Sequence, residues 1–196
     1  MSSKNIPTRD RILKSTLDLL ESGEGNAVRM SDIAKAAKIS RQALYLHFPN
    51  RAELLIAATR YLDEINDVET KLAESRNAPT GVARLNAWVE MWGNYIPVMY
   101  GVGKALWAMM DSDAEARSAW DDRMAAVRDG CAAAIVALVK DDQLTDSLTE
   151  DEATDILWTL LSVRGWELLC IECGWSQDRY IAVMKDMAAK SLLAAA

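Results

Sequence analysis

Residues 29–51 read RMSDIAKAAKISRQALYLHFPNR, and their spacing predicts two short helices joined by a tight turn. Ser31 is a candidate N-cap for the first helix, over residues 32–37, whose inner face is small and apolar. Ser40 is a candidate N-cap for the second helix, and apolar residues flank that cap as in a hydrophobic staple. Because a small inner face lets another helix approach closely, this pattern is typical of a helix-turn-helix.

The outer face of the second short helix carries the residues with recognition chemistry. In a helix-turn-helix the N-terminal residues of this helix enter the major groove of DNA. Arginine suits guanine O6 and N7, and glutamine suits adenine N6 and N7, so Arg41 and Gln42 are candidates for base contact. Hydroxyl, imidazole and guanidinium groups nearby are candidates for phosphate contact, which we favour for the single histidine over catalysis or metal binding. The predicted DNA-binding residues are Arg29, Ser31, Ser40, Arg41, Gln42, Tyr45, His47 and Arg51.

The charges of the chain are distributed unevenly along its 196 residues. The net charge is −7, but residues 1–60 hold ten basic and six acidic side chains, which makes this segment +4 and the remainder −11. A basic segment attracts nucleic acid, whereas an acidic remainder repels phosphate. The charge pattern therefore predicts that contact with DNA is confined to the N-terminal end.

Apolar residues recur at helical spacing along nearly the whole chain, without an alternating β pattern or an internal repeat. One long helix is predicted from about residue 50 to residue 75. Pro97 is expected to end or kink a later helix, because proline removes a backbone donor. We therefore predict an all-α protein of about nine helices.

The C-terminal part of the sequence contains clear helix boundary signals. A capping box at residues 149–152 opens a helix predicted to run to Cys173, with Gly174 as its C-cap glycine and Ser176 starting the last helix. Cys170 and Cys173 have CxxC spacing, for which redox or metal chemistry is an alternative. No second pair and no nearby histidine accompany them, so we interpret both as small buried apolar residues.

The N-terminal pattern as a whole resembles the DNA-binding domain of the tetracycline-repressor (TetR) family of bacterial transcription regulators. The resemblance covers about residues 8–60 and is carried by MSDIAKAA at 30–37, SRQ at 40–42 and LYLHFPNRAEL at 44–54. Lys38 stands where the family usually has glycine, and Arg51 stands where it usually has lysine. The resemblance implies a helix-turn-helix domain over residues 1–52 and a helical ligand-binding and dimerisation domain over residues 53–196.

The distribution of tryptophan is a second unusual feature, because all seven tryptophans follow residue 60. Aromatic and methionine side chains line apolar ligand pockets well, although at helical spacing they are as often ordinary core. We predict a site for a hydrophobic or aromatic small molecule between the C-terminal helices. Its candidate residues are Trp88, Met91, Trp92, Tyr95, Met99, Trp107, Met110, Trp158 and Trp166.

The last helices also carry apolar stripes that predict a homodimer interface, with packing inside one chain as the alternative. Two recognition helices must be joined in a dimer to reach successive major-groove faces, roughly 34 Å apart. The candidate interface residues are Leu161, Gly165, Leu168, Tyr180, Met184 and Met187.

These features together predict a homodimeric repressor that a hydrophobic or aromatic effector releases from a palindromic DNA operator. The alternative is a DNA-binding regulator without a small-molecule ligand, controlled by a protein partner or constitutive. No arrangement of catalytic residues, cofactor site or metal site is visible, so an enzyme is not predicted. With three cysteines and no signal or membrane segment, we expect a cytoplasmic protein.

Overall fold

The computed structural model describes residues 7–22 and 28–194. Within these ranges the chain is helical, and the one β-pairing is an isolated antiparallel bridge between Leu144 and Leu193. This confirms the all-α prediction. The elements are α1 (Thr8–Ser22), α2 (Met30–Ala36), α3 (Arg41–His47), α4 (Arg51–Ile65), α5 (Val68–Arg76), α6 (Gly81–Met109), α7 (Ala114–Lys140), α8 (Glu150–Leu160), the single turn α9 (Val163–Trp166), a π-helix (Glu167–Glu172) and α10 (Gln177–Leu192).

The helices pack into two compact units. The N-terminal unit comprises the described residues up to 67 together with 99–124, and the C-terminal unit comprises 68–98 and the residues from 125 onward. Both α6 and α7 therefore contribute residues to each unit. Because α4 packs on α1, the N-terminal packing unit extends beyond residue 52, the predicted end of the DNA-binding domain. The division between residues 52 and 53 stays a prediction about function.

Helix α1 organises the core of the N-terminal unit by packing against both α2 and α4, while α2 packs against α3. The side chains of Ile12, Leu13, Ile33 and Leu54 are fully buried there. Each such side chain contributes about 1.5–3 kcal/mol of hydrophobic free energy. The Arg11 guanidinium donates to the Ala37 carbonyl at 3.0 Å, which holds the end of α2 to α1.

The long helix predicted over residues 50–75 is wrong, because α4 and α5 are separate helices. The Asn66 side-chain amide donates to the Leu62 carbonyl at 2.8 Å and so satisfies one of the terminal acceptors of α4. The next residue, Asp67, has a φ of 52°, which lies outside the right-handed helical region and so ends the helix. The apolar spacing continues across this break, so periodicity alone did not reveal it.

Pro97, which was expected to end or kink this helix, does not end it, since α6 continues to Met109. A proline at this position leaves the carbonyl four residues earlier, that of Gly93, without its helical donor. The Gln177 side-chain amide fills this role by donating to the Gly93 carbonyl at 2.7 Å. Its oxygen accepts from the indole N–H of Trp166 at 2.9 Å, so α10 supplies the missing hydrogen bond.

The capping box at Thr149 and Glu152 is confirmed, because each side chain bonds the backbone N–H of the other. The helix it opens ends at Leu160, short of the predicted end at Cys173. Ser162 then caps α9 by accepting from the Gly165 N–H at 3.1 Å, and the chain continues into the π-helix.

The glycine before the last helix and the start of that helix are as predicted. Gly174 has a φ of +69°, the left-handed conformation expected of a C-cap glycine. Ser176 is the N-cap of α10 and accepts from the Arg179 N–H at 3.3 Å. Among the described helices, none is long and apolar enough to span a membrane.

Candidate nucleic-acid interface and effector cleft

Helix α3 is held to the N-terminal unit by its inner face. Ser40 caps it, as predicted, by accepting from the Ala43 N–H at 3.1 Å. Leu44 is fully buried and Phe48 is 4% exposed, and the Arg9 guanidinium lies 5.3 Å from the centre of the Phe48 ring. The remaining side of α3 is left to solvent, with Arg41, Gln42, Tyr45, Leu46 and His47 all exposed.

Arg41 and Tyr45 form one row on this exposed face. The Arg41 guanidinium donates to the Tyr45 hydroxyl at 3.4 Å and lies 5.6 Å from the centre of its ring. Residues four apart share a side of a helix, so Gln42 and Leu46 form the neighbouring row. The face therefore carries a cation with a phenol beside an amide with an apolar group.

A polar cleft of about 540 Å³ adjoins this face in the N-terminal unit. It brings together five of the eight predicted DNA-binding residues, whereas Ser40, Gln42 and His47 lie outside it. The exposed guanidinium groups of Arg29 and Arg41 and the hydroxyl groups of Ser31 and Tyr45 are the chemistry expected of a surface that follows a phosphate backbone. The lining residues are Arg29, Met30, Ser31, Arg41, Tyr45, Pro49, Asn50, Arg51 and Glu115.

The start of α2 differs from the sequence prediction. The helix begins at Met30 with Arg29 at the N-cap position, where its side chain makes no capping hydrogen bond. Ser31 therefore lies in the first turn and is not the cap that the sequence predicted. Both Arg29 and Ser31 are exposed, so their side chains are accessible for phosphate contact.

Arg51 is placed differently from the other predicted DNA-binding residues. Its side chain is only 11% exposed, and its Nε donates to the Val28 carbonyl at 2.5 Å. Its Nη1 donates to Asp113 at 3.0 Å and to Glu115 at 3.1 Å. In this conformation the guanidinium joins α4 to the start of α7, so we do not include it among the proposed phosphate contacts.

Asp113 completes this connection by capping α7. One of its carboxylate oxygens accepts from the backbone N–H groups of Glu115 and Ala116, each at 3.1 Å. Burial alone would raise the pKa of Asp113, but the hydrogen bonds from Arg51 and Ala116 outweigh it and hold that pKa below its usual value. The aspartate therefore stays ionised beside the arginine at neutral pH.

Three of the tryptophans predicted to bind a ligand are core residues of the C-terminal unit. Trp88, Trp92 and Trp166 are at most 5% exposed. The Trp88 indole donates to the Cys131 sulfur at 3.3 Å, and the Trp92 indole donates to the Leu161 carbonyl at 2.8 Å. Their polar N–H groups are satisfied by the chain itself, as packing requires of buried indoles.

Met91 and Tyr95 are the two predicted ligand residues that share a described cleft. This cleft lies between α5 and α6 and has a volume of about 260 Å³. Because it is the candidate site for an effector, we call it the effector cleft. Apolar groups on α6 form one part of its wall, and charged or amide groups form the rest. The lining residues are Lys71, Glu74, Ala87, Glu90, Met91, Asn94 and Tyr95.

The other predicted ligand residues do not join this cleft. Met99, Trp107 and Met110 belong to the N-terminal unit, where Trp107 stacks on Trp120 with ring centres 6.3 Å apart. Trp158 is 36% exposed on α8. The described cleft thus contains two of the nine predicted ligand residues, and a ligand site that involves the others stays a prediction. Helical spacing alone cannot distinguish a packed indole from one that lines a cavity.

The predicted dimer residues separate into two groups. Leu161, Tyr180 and Met184 are at most 4% exposed within one chain, so their predicted place in an interface is corrected to the chain's own core. Leu168 and Met187 are 39% and 40% exposed. Gly165 is half-buried in α9.

The prediction that the CxxC cysteines are buried is wrong for Cys173 and holds only in part for Cys170. Cys131 is fully buried, which raises its pKa to about 12. Cys170 is half-buried, whereas Cys173 is exposed rather than buried as the sequence predicted. In the part of the chain that the structure describes, no group of three or more potential metal-ligating side chains comes together.

Sequence reasoning missed Leu46, Asp113 and Glu115. The four-residue spacing from Gln42 was a signal that could have placed Leu46 on the exposed face of α3. Asp113 precedes a helix and was recognisable as a cap. No pattern in the sequence could have paired it with Arg51, which lies 62 residues earlier.

The comparison with family models agrees with this geometry. The model described as "Bacterial regulatory proteins, tetR family" matches residues 12–58, a segment that includes α2, α3 and the turn between them. Residues 12–58 of this chain belong to the tetR family. The matched segment contains the exposed face of α3, and the family is one of regulators rather than enzymes.

Curated relatives match about a third of this chain. The nucleoid occlusion factor SlmA of Marinomonas sp. is 33% identical over 64 residues, which cover 33% of this chain and 32% of SlmA. The HTH-type dhaKLM operon transcriptional activator DhaS of Lactococcus lactis is 39% identical over 66 residues, which cover 33% of this chain and 35% of DhaS. The match thus spans about a third of each of these relatives.

Solved structures share the fold of this chain over nearly its whole length. A TetR-family transcriptional regulator from Rhodococcus sp. superimposes with a TM-score of 0.73 at 22% identity, covering 94% of this chain and 98% of that one. A transcriptional regulator from Saccharomonospora viridis in complex with choline gives 0.71 at 22% identity, over 94% and 97%. FadR from Bacillus subtilis in complex with stearoyl-CoA gives 0.72 at 12% identity, over 92% and 97%. At these sequence identities, the similarity to solved structures establishes only a shared fold.

Proposed function

We propose that this chain is a transcription regulator that binds an operator through α3. The exposed face of α3, with Arg41 and Gln42 in its first turn and the polar cleft beside it, carries this proposal. Gln42 has the amide that pairs with adenine N6 and N7, and Arg29 and Ser31 supply groups for phosphate. The +4 charge of residues 1–60 supports DNA as the ligand.

The regulator acts as a homodimer, held by the surface that the C-terminal unit leaves apolar. Trp158 on α8, Leu168 and Ile171 in the π-helix and Met187 on α10 are between 36% and 58% exposed. Contacts join α10 to both α8 and the π-helix within the chain. A second copy that covers this surface would remove its apolar groups from water and bring two α3 helices onto one palindromic site.

The effector is a small molecule with an apolar or aromatic body and a polar end, bound in the effector cleft. Ala87, Met91 and Tyr95 offer the apolar wall, and Lys71 and Glu74 lie among the polar groups. A cleft of about 260 Å³ suits a molecule nearer in size to choline than to stearoyl-CoA, the ligands of two structural neighbours. An effector acts only if it binds the DNA-incompetent state more tightly.

The regulator is a repressor, because a dimer that covers a promoter excludes polymerase without any further contact. DhaS, which matches a third of this chain, is an activator. Transcription measured in vitro distinguishes a repressor from an activator. Repression predicts fewer transcripts from a template carrying the operator as protein is added. More transcripts would make the chain an activator.

The DNA-binding proposal is tested by selecting duplexes from a random pool with the full chain. We expect an enriched palindromic sequence. Gln42→Ala should then weaken binding to that sequence by about five- to 150-fold while leaving binding to random duplexes unchanged. Gln143→Ala, the same substitution at an exposed residue of the C-terminal unit, is the control. A pool from which no sequence is enriched contradicts the proposal.

The effector proposal is tested with benzyl alcohol, benzylamine and benzoate, which share a ring and differ in charge. A compound that releases the selected duplex should also quench the intrinsic tryptophan fluorescence of Trp88 and Trp92, which neighbour the cleft residues in sequence. Ala87→Leu, which fills the cleft, should abolish both effects. Release without quenching, or release unchanged in Ala87→Leu, contradicts the site.

A second candidate is a regulator that senses no small molecule. It is favoured by the core packing of Trp88, Trp92 and Trp166, whose indole N–H groups are all satisfied within the chain. Such a protein would bind the selected duplex equally well in the presence of each of the three benzyl compounds.

A further inference from the structure

Leu46 is an apolar side chain that the packing of the chain does not explain. It is 85% exposed, more than any other large apolar side chain in the described ranges, with Ile171 next at 58% and Ile65 at 56%. A leucine left in water contributes almost nothing to the hydrophobic free energy of folding. Leu46 is therefore expected to contact a partner molecule rather than the rest of the chain.

The position of Leu46 on α3 indicates what it contacts. It follows Gln42 by four residues, so it lies one turn further along on the same side of the helix. Arg41 and Tyr45, which contact each other, form the neighbouring row. His47 is exposed beside it. A partner that fits this face must contact an amide, a guanidinium and an apolar group. The DNA major groove does so, because it presents hydrogen-bond donors, acceptors and the methyl group of thymine.

We propose that Leu46 is a specificity-determining residue that contacts the C5-methyl group of a thymine, an inference that rests on the proposed operator binding. Thymine is the one base with a methyl group on its major-groove edge, so a leucine there distinguishes it from cytosine and from the purines. Four residues of helix advance about 6 Å, so the thymine lies within roughly two base pairs of the base that Gln42 contacts.

The experiment replaces thymine by deoxyuridine, which lacks only the methyl group. A duplex is first selected from a random pool by the full chain, and each thymine of a half-site is then replaced in turn. Binding is measured for the wild type, for Leu46→Ala and for Ile65→Ala. Alanine is favourable in helices and Leu46 is exposed, so α3 should be retained, and circular dichroism confirms the folding of each variant.

For the wild type we expect one position per half-site at which loss of the methyl weakens binding by roughly fourfold, the effect of exposing one buried methyl group. Leu46→Ala should bind the thymine duplex as weakly as the wild type binds the deoxyuridine duplex. Replacing that thymine by deoxyuridine should then cause no further loss of affinity in Leu46→Ala. Ile65→Ala, which removes an exposed apolar side chain from α4, should behave like the wild type.

The proposal is overturned if no thymine of the half-site is sensitive to loss of its methyl. It is also overturned if Leu46→Ala keeps the sensitivity of the wild type, which would assign the methyl contact to another residue. Failure of the proposed function gives a different result, since the pool would then yield no enriched sequence and no duplex to substitute.

Discussion

Lys38 occupies the turn between α2 and α3 with a φ of 54°, in the region that glycine adopts most easily. A residue with a Cβ atom is destabilised there by roughly 1–2 kcal/mol. Lys38→Gly should therefore raise the free energy of unfolding by about 1 kcal/mol, after allowing for the greater freedom of glycine in the unfolded chain. Thermal unfolding followed by circular dichroism measures this change.

The matched control for this prediction is Lys38→Ala. It removes the same charge and keeps the Cβ atom, so it should leave the midpoint of unfolding close to that of the wild type. If alanine stabilises the chain as much as glycine does, the gain comes from the lost charge and the account of the turn is wrong.

Asp113 gives the second prediction at this scale, through its ion pair with Arg51. Asp113→Asn keeps a side-chain oxygen that can cap α7 but removes the charge, so the free energy of unfolding at neutral pH should fall by about 1–3 kcal/mol. The pKa of Asp113 is lowered in the folded chain, so its stabilisation is present above the unfolded pKa and is lost as the pH falls through the folded pKa. The difference between wild type and variant should therefore shrink below about pH 4.

Urea unfolding of the two proteins at neutral pH and at pH 3 measures this difference. Other carboxylates titrate in both proteins, and the comparison cancels their effect. An equal difference at the two pH values would show that the Asp113 charge does not contribute to the connection between α4 and α7.

At the scale of elements, α6 passes through Pro97 because α10 replaces the hydrogen bond that proline removes. Gln177→Ala should remove both the hydrogen bond to the Gly93 carbonyl and the one from the Trp166 N–H, lowering the free energy of unfolding by about 2–4 kcal/mol. In a Pro97→Ala background the helix regains its own donor to Gly93, so Gln177→Ala should cost about 1–2 kcal/mol less there. Denaturant unfolding of the four proteins in this cycle gives the coupling, and equal costs in the two backgrounds contradict the explanation.

The helices show which boundaries a sequence can reveal. Local side-chain caps were predictable, as at Ser40, Thr149 and Ser176, because the partner of each cap lies within three residues. The continuation through Pro97 was not, since its compensating group comes from Gln177, 84 residues beyond the carbonyl it satisfies. The break at Asn66 was missed for a different reason: it does not interrupt the apolar spacing, although Asn66 and Asp67 are both weak helix formers.

At the scale of the whole molecule, the exposed face of α3 was more predictable from the sequence than the effector cleft. Arg41, Gln42 and Tyr45 follow from the period of one short helix, and all three are exposed as that period requires. The cleft depends on how α5 and α6 come together, because this packing brings Met91 and Lys71 into one lining. No periodicity in the sequence reveals it.

The proposed dimer surface leads to a prediction about assembly. Ile171 is 58% exposed, so Ile171→Glu should not disturb the fold of one chain, but it places a charge within the apolar surface. We expect sedimentation to show a shift from dimer to monomer. Ile65→Glu introduces the same change at a 56% exposed position of α4 and should leave the dimer intact. Dissociation by both variants, or by neither, is contrary to the proposed interface.

The central claim is that this chain recognises a particular DNA sequence, and equilibrium binding of two duplexes tests it most directly. The full chain is titrated with the duplex that it selects from a random pool and with a scrambled duplex of the same composition, at one salt concentration. The account predicts an affinity for the selected duplex at least about 10³-fold higher, with two chains bound per duplex. Equal affinity for the two duplexes would contradict it.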